Sequence, residues 1–542
     1  RKIKVKLLDS LKENTTYTID FSDAIVDNNE GNPMGDFCYT FSTGNQIDTM
    51  QVGGYVLDAS NLEPIKGIMV GLHSDLSDSA FTTKEFERVS RTDSRGYFSI
   101  KGLAQKEYRV YALQDMDQSL TWSQAGETWA ASDISFFPSS EQRIRLDSMM
   151  YDTINIDTIL SVPYTHFLPD DLVLLASVKK NVMQYMEKYE RTQLDRLSLY
   201  FAMPADTLPT VQGLNFNSDS AFIIETNPDF DSIQYWIPDT LISFKDTLTM
   251  SVRYMAHDTA GVLKEKTDTL MFIPKKTHAR ILAEEKTKAE ENQKRIEKEI
   301  KKLDPVEDSI RIMNLLRPTQ KFLNLTTNLK HKMDLTTVLE ISYKEPIFGV
   351  DTANIRIQYT PDSVYQDMEY ELYQDEWNPR VYYIYGAWRP GLKSKMLIDS
   401  ASIQDMSSGL SINKFSQEFN FQSEEEYSIF TVNVMNPKPG YTVTLLSNGG
   451  EPYRSQKLEN GTTTFFYVKP GTYWVRMWDD ANDNGVWDAG DWAFGTKPED
   501  TWYMDRKFEL KANWESETEY WDVNAVPRYK QKAEQITKQK AD

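Results

Sequence analysis

The chain has 542 residues, of which 12% are aromatic, and its formal net charge is −21 at pH 7. This length exceeds what a single hydrophobic core supports and predicts about four or five domains. The negative charge argues against nucleic acid or an anionic membrane surface as a binding partner. The single cysteine, Cys38, excludes an internal disulfide framework and a cysteine-based zinc cluster.

The first part of the chain is rich in strand patterns. Residues 1–46 contain KIKVKL, TTYTIDFSDAIVD and FCYTFSTG, which predict the end of a β-sandwich domain. Because the sequence opens directly in a strand pattern, we expect a leader and the first strands of this domain to precede it. Residues 50–150 form a different unit, in which strands alternate with Gly, Asp and Pro turns, as in GGYVLDASNLEPIKGIMVGL and RTDSRGYFSIKGL.

Internal repeats connect distant segments of the chain. Residues 22–27 resemble residues 400–405, and Phe37 and Phe41 match Phe415 and Phe419 at identical spacing. The segments LSLYFAMP and LEISYKEP share their alternation and their final proline. These matches predict three related sandwiches, at residues 1–46, about 166–274 and about 305–425.

One segment has a helical pattern. Residues 275–303 carry opposite charges four positions apart, as at Glu290 and Lys294, together with a thin apolar stripe. The pair Asp304-Pro305 ends the predicted helix. A solvated spacer helix and a partner-binding coiled coil both fit this pattern. The tail from Pro527 onward is polar, and we expect it to be frayed or disordered.

The segment DANDNGVWDAGD follows an aromatic strand and has the strongest chemical signal. It places oxygen-bearing side chains at alternate positions, with Gly485 for a sharp turn, which suits Ca²⁺. It differs from an EF-hand because a strand precedes it and the glutamate expected at the twelfth position is missing. A metal-free turn is the alternative, since Asp, Asn and Gly are common in turns. The predicted ligands of a structural calcium ion are Asp480, Asn482, Asn484, Asp488 and Asp491.

An earlier segment, YRVYALQDMDQSLTWSQAGE, aligns with this strand and loop with one inserted residue. The alignment pairs Tyr108 with Tyr473, Asp115 with Asp480, Asp117 with Asn482, Trp122 with Trp487, and Gly126-Glu127 with Gly490-Asp491. Ser119 and Ser123 replace Asn484 and Asp488, so this copy has less ligand charge. We therefore expect it to bind metal weakly or not at all.

Catalytic motifs are missing from the sequence. The five histidines are scattered, and no zinc-protease, nucleophile-elbow, phosphate-loop or dinucleotide motif is present. We expect no enzymatic activity; the alternative, an enzyme, would need a catalytic constellation assembled in space from distant parts of the chain. Tryptophans could form a glycan platform, whereas their strand-like alternation favours core and loop packing. The candidates are Trp122, Trp129, Trp474, Trp478, Trp487, Trp492 and Trp502.

The triplet Asp-(Ser/Thr)-aliphatic recurs, for example at residues 206–208, 239–241 and 268–270. Ordinary residue usage would give only about two or three such triplets. A turn aspartate followed by a strand-forming threonine and an apolar residue explains the pattern. The triplet also resembles the acceptor motif of the general O-glycosylation system of the Bacteroidota, and the two interpretations are compatible.

These motifs together resemble the multidomain Ig-like surface lipoproteins of the Bacteroidota. Residues 17–44 are similar to the closing half of an S-layer-type Ig-like domain, and GYVLDASNLEPIKGIMVGL to a carboxypeptidase-regulatory, transthyretin-like module. DANDNGVWDAGD resembles the calcium loop of bacterial-surface B-type repeats. The resemblance implies an all-β fold of tandem Ig-like and transthyretin-like β-sandwich domains with one charged linker helix.

The domain organisation follows from the repeats and the resemblance. We predict an Ig-like C-terminal part (1–46), a transthyretin-like domain (50–150), an Ig-like domain (166–274), a charged helix (275–304), an Ig-like domain (305–425), a second transthyretin-like domain with the calcium-type loop (427–526) and a polar tail (527–542).

The resemblance also implies a location and a role. It implies an outer-membrane, cell-surface protein held by a lipid anchor outside this sequence. The expected function is a non-enzymatic protein-protein scaffold, or an accessory subunit of an outer-membrane barrel complex for protein assembly or uptake. The alternative is a carbohydrate-binding or adhesive cell-surface protein that uses the tryptophan-rich loops.

Overall fold

The computed structural model describes residues 3–7, 10–21, 24–27, 31–32, 34, 37–124, 126–150, 156–179, 183–259, 261–317, 321–362, 364–400, 403–405 and 411–532. The chain divides into two compact units, one of residues 1–181 and 425–542 (unit 1) and one of residues 182–424 (unit 2). Strands dominate both units, and one long charged helix is present. The predicted all-β fold of tandem Ig-like and transthyretin-like sandwiches is therefore confirmed.

Unit 1 begins with a two-stranded sheet and a first sandwich. The elements are β1 (Thr16–Asp20), β2 (Cys38–Ser42), β3 (Met50–Asp58), β4 (Met69–His73), α1 (Ala80–Thr83), β5 (Arg88–Arg91), β6 (Tyr97–Leu103), β7 (Arg109–Leu113), β8 (Trp129–Ala131), β9 (Ser139–Met150), β10 (Ile156–Leu168) and β11 (Leu172–Ala176). The first sandwich pairs a sheet of order β11-β3-β6 with a sheet of order β5-β4-β7-β8. Strands β9 and β10 form a separate antiparallel ribbon.

Strand β4 shows why this segment is continuously apolar. Successive side chains point to opposite faces of a strand. Val70 and Leu72 therefore enter the core between the two sheets, while Met69 joins an aromatic cluster on the outer face. Gly71 also faces outward, and a Cβ there would lie 2.1 Å from the Phe86 ring. Both faces of β4 are thus buried.

Unit 2 contains two sandwiches with two helices between them. The first sandwich has β12 (Met186–Gln193), β13 (Arg196–Phe201), β14 (Thr210–Gly213), β15 (Ile223–Thr226), β16 (Ser232–Trp236), α2 (Thr240–Ser243), β17 (Leu248–His257) and β18 (Leu263–Phe272). The helices are α3 (His278–Ile300) and α4 (Ser309–Leu316). The sheets of this sandwich have the orders β12-β13-β16-β15 and β14-β17-β18.

The second sandwich of unit 2 is larger. Its strands are β19 (Leu325–Thr327), β20 (Lys332–Met333), β21 (Leu339–Tyr343), β22 (Ile347–Val350), β23 (Ile355–Thr360), β24 (Gln366–Met368), β25 (Tyr370–Gln374), β26 (Val381–Gly386), β27 (Lys393–Ile398), β28 (Ile403–Asp405) and β29 (Phe415–Phe421). The sheets have the orders β19-β21-β26-β25, β20-β29-β27-β23-β24 and β22-β28. The strands of the two repeat segments LSLYFAMP and LEISYKEP, β13 and β21, both lie inside a four-stranded sheet.

Helix α3 lies within the segment predicted to be helical. The Thr277 side chain accepts a hydrogen bond from the backbone N–H of Arg280 and so caps its first turn. None of the residues of α3 is buried. Its sequence carries six basic and six acidic side chains, counted from residue 278 to residue 300. The helix is therefore solvated and has no net charge.

The two sandwiches of unit 2 are joined by a buried ion pair. The Arg380 guanidinium donates to both carboxylate oxygens of Glu225, at 2.5 and 2.8 Å. The indole N–H of Trp236 donates to the same carboxylate at 2.7 Å. Because the Glu225 side chain is only 9% exposed, this carboxylate depends on these partners for its solvation.

The last sandwich completes unit 1. It contains β30 (Ser428–Asn433), β31 (Tyr441–Ser447), β32 (Pro452–Lys457), β33 (Thr462–Val468), β34 (Gly471–Asp479), β35 (Thr501–Tyr503), β36 (Phe508–Leu510), β37 (Glu515–Glu517) and α5 (Arg528–Gln531). The sheets are β33-β30-β37 and β32-β31-β34-β35, with β36 also paired to β34. Each sandwich of unit 1 has a three-stranded sheet in which the strand that comes last in the sequence is parallel to the strand that comes first. These parallel pairs are β11 with β3 and β37 with β30.

The pairing of β11 shifts one domain boundary from the position predicted from sequence. The sequence pattern predicts that the first transthyretin-like domain ends at residue 150 and that the next domain begins at residue 166. In the structure Leu172–Ala176 pairs with β3, so this strand completes the first sandwich. In the sequence, the ribbon of β9 and β10 lies between β8 and β11. For this reason β11 looks like part of the next domain rather than the end of its own.

The start of the polar tail is ordered, in contrast to the expectation of a frayed segment. The Tyr529 ring stacks on Tyr55 of the first sandwich with ring centroids 4.0 Å apart. Gln531 is only 1% exposed. Its amide oxygen accepts from the N–H of Tyr503, and its amide nitrogen donates to the carbonyls of Val523 and Val526. Residues 527–532 therefore belong to the body of unit 1, and the rest of the tail lies outside the described residues.

We expect the substitution Gln531→Ala to destabilise unit 1 by about 1–3 kcal/mol, because it leaves buried backbone groups without partners. Urea unfolding followed by tryptophan fluorescence measures the change. The neighbouring substitution Lys530→Ala removes an exposed side chain and should change stability by less than about 0.5 kcal/mol. Equal effects of the two variants would contradict a docked tail.

Candidate metal-binding loops

Strand β34 positions the loop predicted to bind calcium. The strand ends at Asp479, and the next residue, Asp480, is only 1% exposed. The Asp480 carboxylate accepts hydrogen bonds from the backbone N–H groups of Asn484 and Gly485, at 3.0 and 2.9 Å. Asp483 and Gly485 have φ values of 62° and 76°, which coil the backbone around this carboxylate.

Three more of the predicted ligands meet at one point. The side-chain amides of Asn482 and Asn484 donate to the same carboxylate oxygen, Oδ2 of Asp488, at 2.6 and 2.8 Å. The Asn482 side-chain oxygen also accepts from the backbone N–H of Asn484. The structure therefore brings Asp480, Asn482, Asn484 and Asp488 together in one loop.

A further carboxylate, Glu499, completes this loop. Its oxygens accept from the N–H groups of Ala481 at 2.9 Å and of Asp488 at 3.1 Å. Its carbonyl oxygen accepts from the Trp487 indole N–H at 2.9 Å. Glu499 is 9% exposed. Glu499 is not among the ligands predicted from sequence, because it lies eleven positions beyond Asp488, outside any regular ligand spacing.

The fifth predicted ligand, Asp491, has other partners. Its carboxylate accepts from the Lys179 ammonium at 2.9 Å and from the backbone N–H of Ala493 at 3.1 Å. It thereby caps the 3₁₀ helix Trp492–Phe494. The structure does not bring Asp491 to the other four residues through any of these contacts.

The earlier loop has the same hydrogen bonds. Asp115 accepts from the N–H groups of Ser119 and Leu120, at 3.1 and 3.0 Å. Glu127 accepts from the N–H groups of Met116 and Ser123, both at 3.1 Å. Leu120 has a φ of 57°, the left-handed conformation found at the equivalent glycine of the later loop. The two loops are therefore copies in their backbone as well as in sequence.

The hydrogen bonds of the two loops correct one position of the sequence alignment. Glu127 is the counterpart of Glu499, whereas the sequence alignment paired it with Asp491. The reason is the longer connection in the later loop, where residues 489–498 separate Asp488 from Glu499, whereas only residues 124–126 separate Ser123 from Glu127.

The earlier loop also holds more charge than its sequence suggested. Carboxylate oxygens of Asp115, Asp117 and Glu127 lie within 4.8 Å of one another. Hydrogen bonds from Ser119 and Ser123 lower the pKa of Asp117 to about 2. The loop thus gathers three carboxylates, and the expectation that it binds metal weakly or not at all stays a prediction.

The longer connection of the later loop also has a packing role. It carries Trp492, whose ring contacts Phe81 at 5.0 Å, Trp129 at 5.2 Å and Tyr111 at 6.1 Å between centroids, all on the first sandwich. The N–H of Gly490 donates to the Ser177 hydroxyl at 3.2 Å. The metal-type loop thus continues directly into the contact between the two sandwiches of unit 1.

The chemistry of the later loop fits Ca²⁺. Carboxylate and amide oxygens are the ligands this ion takes, and Asp480, Asp488 and Glu499 supply three carboxylates. Burial raises the pKa of Glu499, and the charges of Asp488 and Asp480 raise it further. Burial is the larger cause, and a divalent cation would relieve the smaller contribution from the neighbouring negative charges. The amides of Asn482 and Asn484 could present oxygen instead of nitrogen by rotating their terminal groups.

We expect calcium affinity to fall as the pH is lowered from 7 towards 5. The raised pKa means that Glu499 takes up a proton at a higher pH than usual, and Ca²⁺ must displace that proton. In the ion-free protein the same proton stabilises the fold, so this contribution grows as the pH falls through the raised pKa. Calorimetry in two buffers of different ionisation enthalpy measures the protons released. If calcium binding released the same number of protons at pH 7 and at pH 5, this would contradict the involvement of Glu499.

The tryptophans proposed for a glycan platform lie mainly in cores. Trp129, Trp474, Trp478 and Trp502 are only 3–6% exposed. The Trp487 and Trp492 rings are half-buried, in the loop and in the contact described above. The packing interpretation therefore accounts for these side chains better than a flat aromatic surface does. His73 is also buried, and its burial lowers its pKa.

Comparisons with known proteins give only remote likenesses. No protein-family model matches the chain, and no curated protein matches it. Among solved structures, the major pilin subunit BcpA of Bacillus cereus is 9% identical, with 87% of this chain and 99% of that chain covered and a TM-score of 0.14. SGBP-B of the Bacteroides ovatus mixed-linkage glucan utilization locus, solved in complex with a mixed-linkage heptasaccharide, is 8% identical, with coverages of 84% and 93% and a TM-score of 0.17.

A third likeness is to cadherin domains 1–5 of protocadherin gamma B2, at 8% identity, with coverages of 94% and 87% and a TM-score of 0.15. Identities and TM-scores this low carry no information on the function of this chain. The class of protein is defined by its own fold, a multidomain protein of Ig-like and transthyretin-like sandwiches. None of the helices in the described part of the chain is both long and apolar enough to cross a membrane.

Proposed function

We propose that this chain is a non-enzymatic scaffold that binds a protein partner at the cell surface. The supporting observation is the outer face of α4 and the turn before it. Val306, Ile310, Met313 and Leu316 are 83%, 74%, 71% and 63% exposed. Their spacing of three or four residues aligns them on one side of the helix, and clustered apolar exposure of this kind marks an interaction site.

A protein partner fits this face better than a lipid surface. Helix α3, which packs against α4, has equal numbers of acidic and basic side chains. Adsorption to anionic lipids requires an excess of basic residues beside the apolar face. Helix α3 is rich in charged side chains but has no net charge. Such a helix beside an apolar stripe instead suits a protein surface with an apolar centre and a polar rim.

The partner that the sequence resemblance favours is an integral outer-membrane barrel complex for protein assembly or uptake. In this proposal a lipid anchor outside the sequence holds the chain at the outer membrane. A calcium ion in the loop of residues 480–499 stiffens the last sandwich. The sandwiches serve as supports that hold the exposed segments in place, and no catalytic step is involved.

The experiment is purification of the native protein from its membrane, with identification of the proteins that accompany it. We expect an integral barrel protein to be recovered, and the double variant Ile310→Glu, Met313→Glu to lower its recovery at least about tenfold. The matched control is Leu241→Glu, which changes a leucine of α2 in unit 2 that is 81% exposed. Recovery that the double variant leaves unchanged would refute binding through α4.

The alternative, glycan binding, predicts a different result. A glycan array would then show a specific carbohydrate ligand, and Trp487→Ala would abolish its binding. The indole N–H of Trp487 already donates to the carbonyl of Glu499, so this ring has a structural role. An array without specific binding, together with co-purification of a barrel protein, supports the scaffold.

A further inference from the structure

The sheet of order β19-β21-β26-β25 buries one of its faces in the core of the second sandwich of unit 2. The other face carries Tyr373 on β25 and Tyr383 and Tyr385 on β26, and we call it the tyrosine face. Tyr373 and Tyr385 are 52% and 46% exposed, and Tyr383 is half-buried. Clustered exposed rings mark an interaction site, and tyrosine is enriched in such sites.

The strand register brings the three rings together. Tyr373 lies directly opposite Tyr383, and Tyr385 lies opposite Glu371. Tyr373 and Tyr385 are therefore diagonal neighbours, and their ring centroids are 5.6 Å apart. On the other side of β26, Glu340 of β21 lies opposite Tyr383. The tyrosine face thus extends across β25, β26 and β21, and carboxylates lie among its rings.

Carboxylates hold two of the tyrosine hydroxyls. The Tyr373 hydroxyl donates to Oε2 of Glu371 at 2.5 Å, and this hydrogen bond raises the pKa of Tyr373. A hydrogen bond to the Asp375 carboxylate is the largest cause of the raised pKa of Tyr383, and the charge of Glu340 raises it further. Both phenols therefore stay neutral near pH 7, and their rings lie beside negative charge.

The carboxylates of Glu340, Glu371 and Asp375 have no basic partner. Within the described ranges of the chain, no lysine or arginine forms an ion pair with any of them. Two basic side chains do lie close in sequence to these strands, Lys344 after β21 and Arg380 before β26. Each is paired with a different carboxylate, Lys344 with Glu345 and Arg380 with Glu225. The tyrosine face therefore has an excess of negative charge.

Rings and carboxylates favour the same kind of ligand group. The face of an aromatic ring carries negative potential and attracts a guanidinium or an ammonium ion. An unpaired carboxylate attracts the same ions. Arginine combines both contacts best, because its planar guanidinium can stack on a ring while it donates two hydrogen bonds to one carboxylate. A neutral ligand, whether a peptide or a glycan, would leave the charge of the carboxylates unused.

We propose that the tyrosine face binds an arginine-bearing segment of another protein. A second copy of this chain is a poorer occupant, since two chains that each carry a net charge of −21 repel one another. This surface is separate from α4, whose exposed side chains are apolar. The proposal therefore holds whether or not α4 binds a partner.

The test uses the full chain and a labelled, blocked peptide of about ten residues that alternates arginine and serine, which is long enough to cross the sheet. Fluorescence anisotropy measures its binding, and we expect a Kd below about 1 mM. An analogue with citrulline, the uncharged isostere of arginine, should bind at least about tenfold more weakly. Because so acidic a chain attracts cationic peptides in general, variants of the tyrosine face locate the binding.

The double variant Tyr373→Leu, Tyr385→Leu should weaken binding of the arginine peptide about five- to thirtyfold, since it removes two ring faces. Tyr373→Phe, Tyr385→Phe keeps those faces and should stay within about threefold of the parent. The matched control Tyr185→Leu changes a tyrosine of the other sandwich of unit 2 that is 49% exposed, and it should leave binding unchanged. Glu340→Gln, Glu371→Gln should weaken binding about two- to tenfold.

Three results would overturn the proposal. The first is equal binding of the arginine and citrulline peptides, or no binding of either, because the charge would then not be recognised. The second is unchanged binding in the Tyr373→Leu, Tyr385→Leu protein, which would place the arginine peptide elsewhere on the acidic surface. The third is self-association in sedimentation velocity that this double variant abolishes, which would make a second copy the occupant.

Discussion

Replacing Arg380 by alanine is expected to lower the free energy of unfolding of unit 2 by about 3 kcal/mol. The substitution leaves the buried Glu225 carboxylate without its ionic partner, and an uncompensated buried charge is costly. It also removes a guanidinium that lies 5.5 Å from the centre of the Trp236 ring. Urea unfolding combined with hydrogen exchange, read on peptides of unit 2, gives the change.

The control for this variant is Lys344→Ala. Lys344 lies 4.0 Å from Glu345 in an ion pair whose lysine side chain is 65% exposed. Exposed pairs contribute about 0–1 kcal/mol, so this variant should stay close to the parent. An Arg380→Ala protein as stable as the Lys344→Ala protein would show that the pair does not join the two sandwiches.

Calcium is expected to raise the melting temperature of the last sandwich, and the double variant Asp480→Ala, Asp488→Ala should abolish this rise. An ion that binds only the folded loop adds about 2.7 kcal/mol when its concentration is a hundred times the dissociation constant. Thermal unfolding followed by tryptophan fluorescence, with and without calcium, measures the response. Because Asp480 is buried, its loss also lowers stability in the absence of calcium, so the calcium-induced difference is the quantity to compare.

The matched control here is Asp491→Ala. Since Asp491 accepts from Lys179 and from the N–H of Ala493, we expect this variant to keep the calcium response of the parent. The variant Glu499→Ala, in contrast, should lose the calcium response, because the Glu499 carboxylate accepts hydrogen bonds from backbone N–H groups at both ends of the loop. A calcium response that survives in the double variant would place the ion elsewhere.

Local patterns were sufficient to predict much of the fold. Alternation in β13 and β21 identified strands that are indeed internal to their sheets. The repeat of the aromatic strand and its loop identified two related sandwiches, and their sheets have the same order. Such signals are readable because a strand or a turn depends mainly on neighbouring residues.

Features that depend on distant contacts were not predictable. Leu172–Ala176 pairs with β3, more than a hundred residues earlier, and no local pattern distinguishes it from the first strand of the next domain. Glu499 reaches the calcium-type loop across a connection whose length has no counterpart in the earlier copy. Tyr529 looked like part of a polar tail because its stacking partner, Tyr55, lies at the other end of the sequence.

Unit 1 is assembled from two segments that ribosomes produce at different times. The aromatic side chains of Phe81, Tyr111 and Trp129 emerge early, whereas Trp492, which packs on them, follows several hundred residues later. At about 5–20 residues per second this delay lasts roughly 20–80 s. Unit 2 lies wholly between the segments and can complete its folding first. During that interval the rings of Phe81, Tyr111 and Trp129 lack the Trp492 side chain that packs on them in the folded unit.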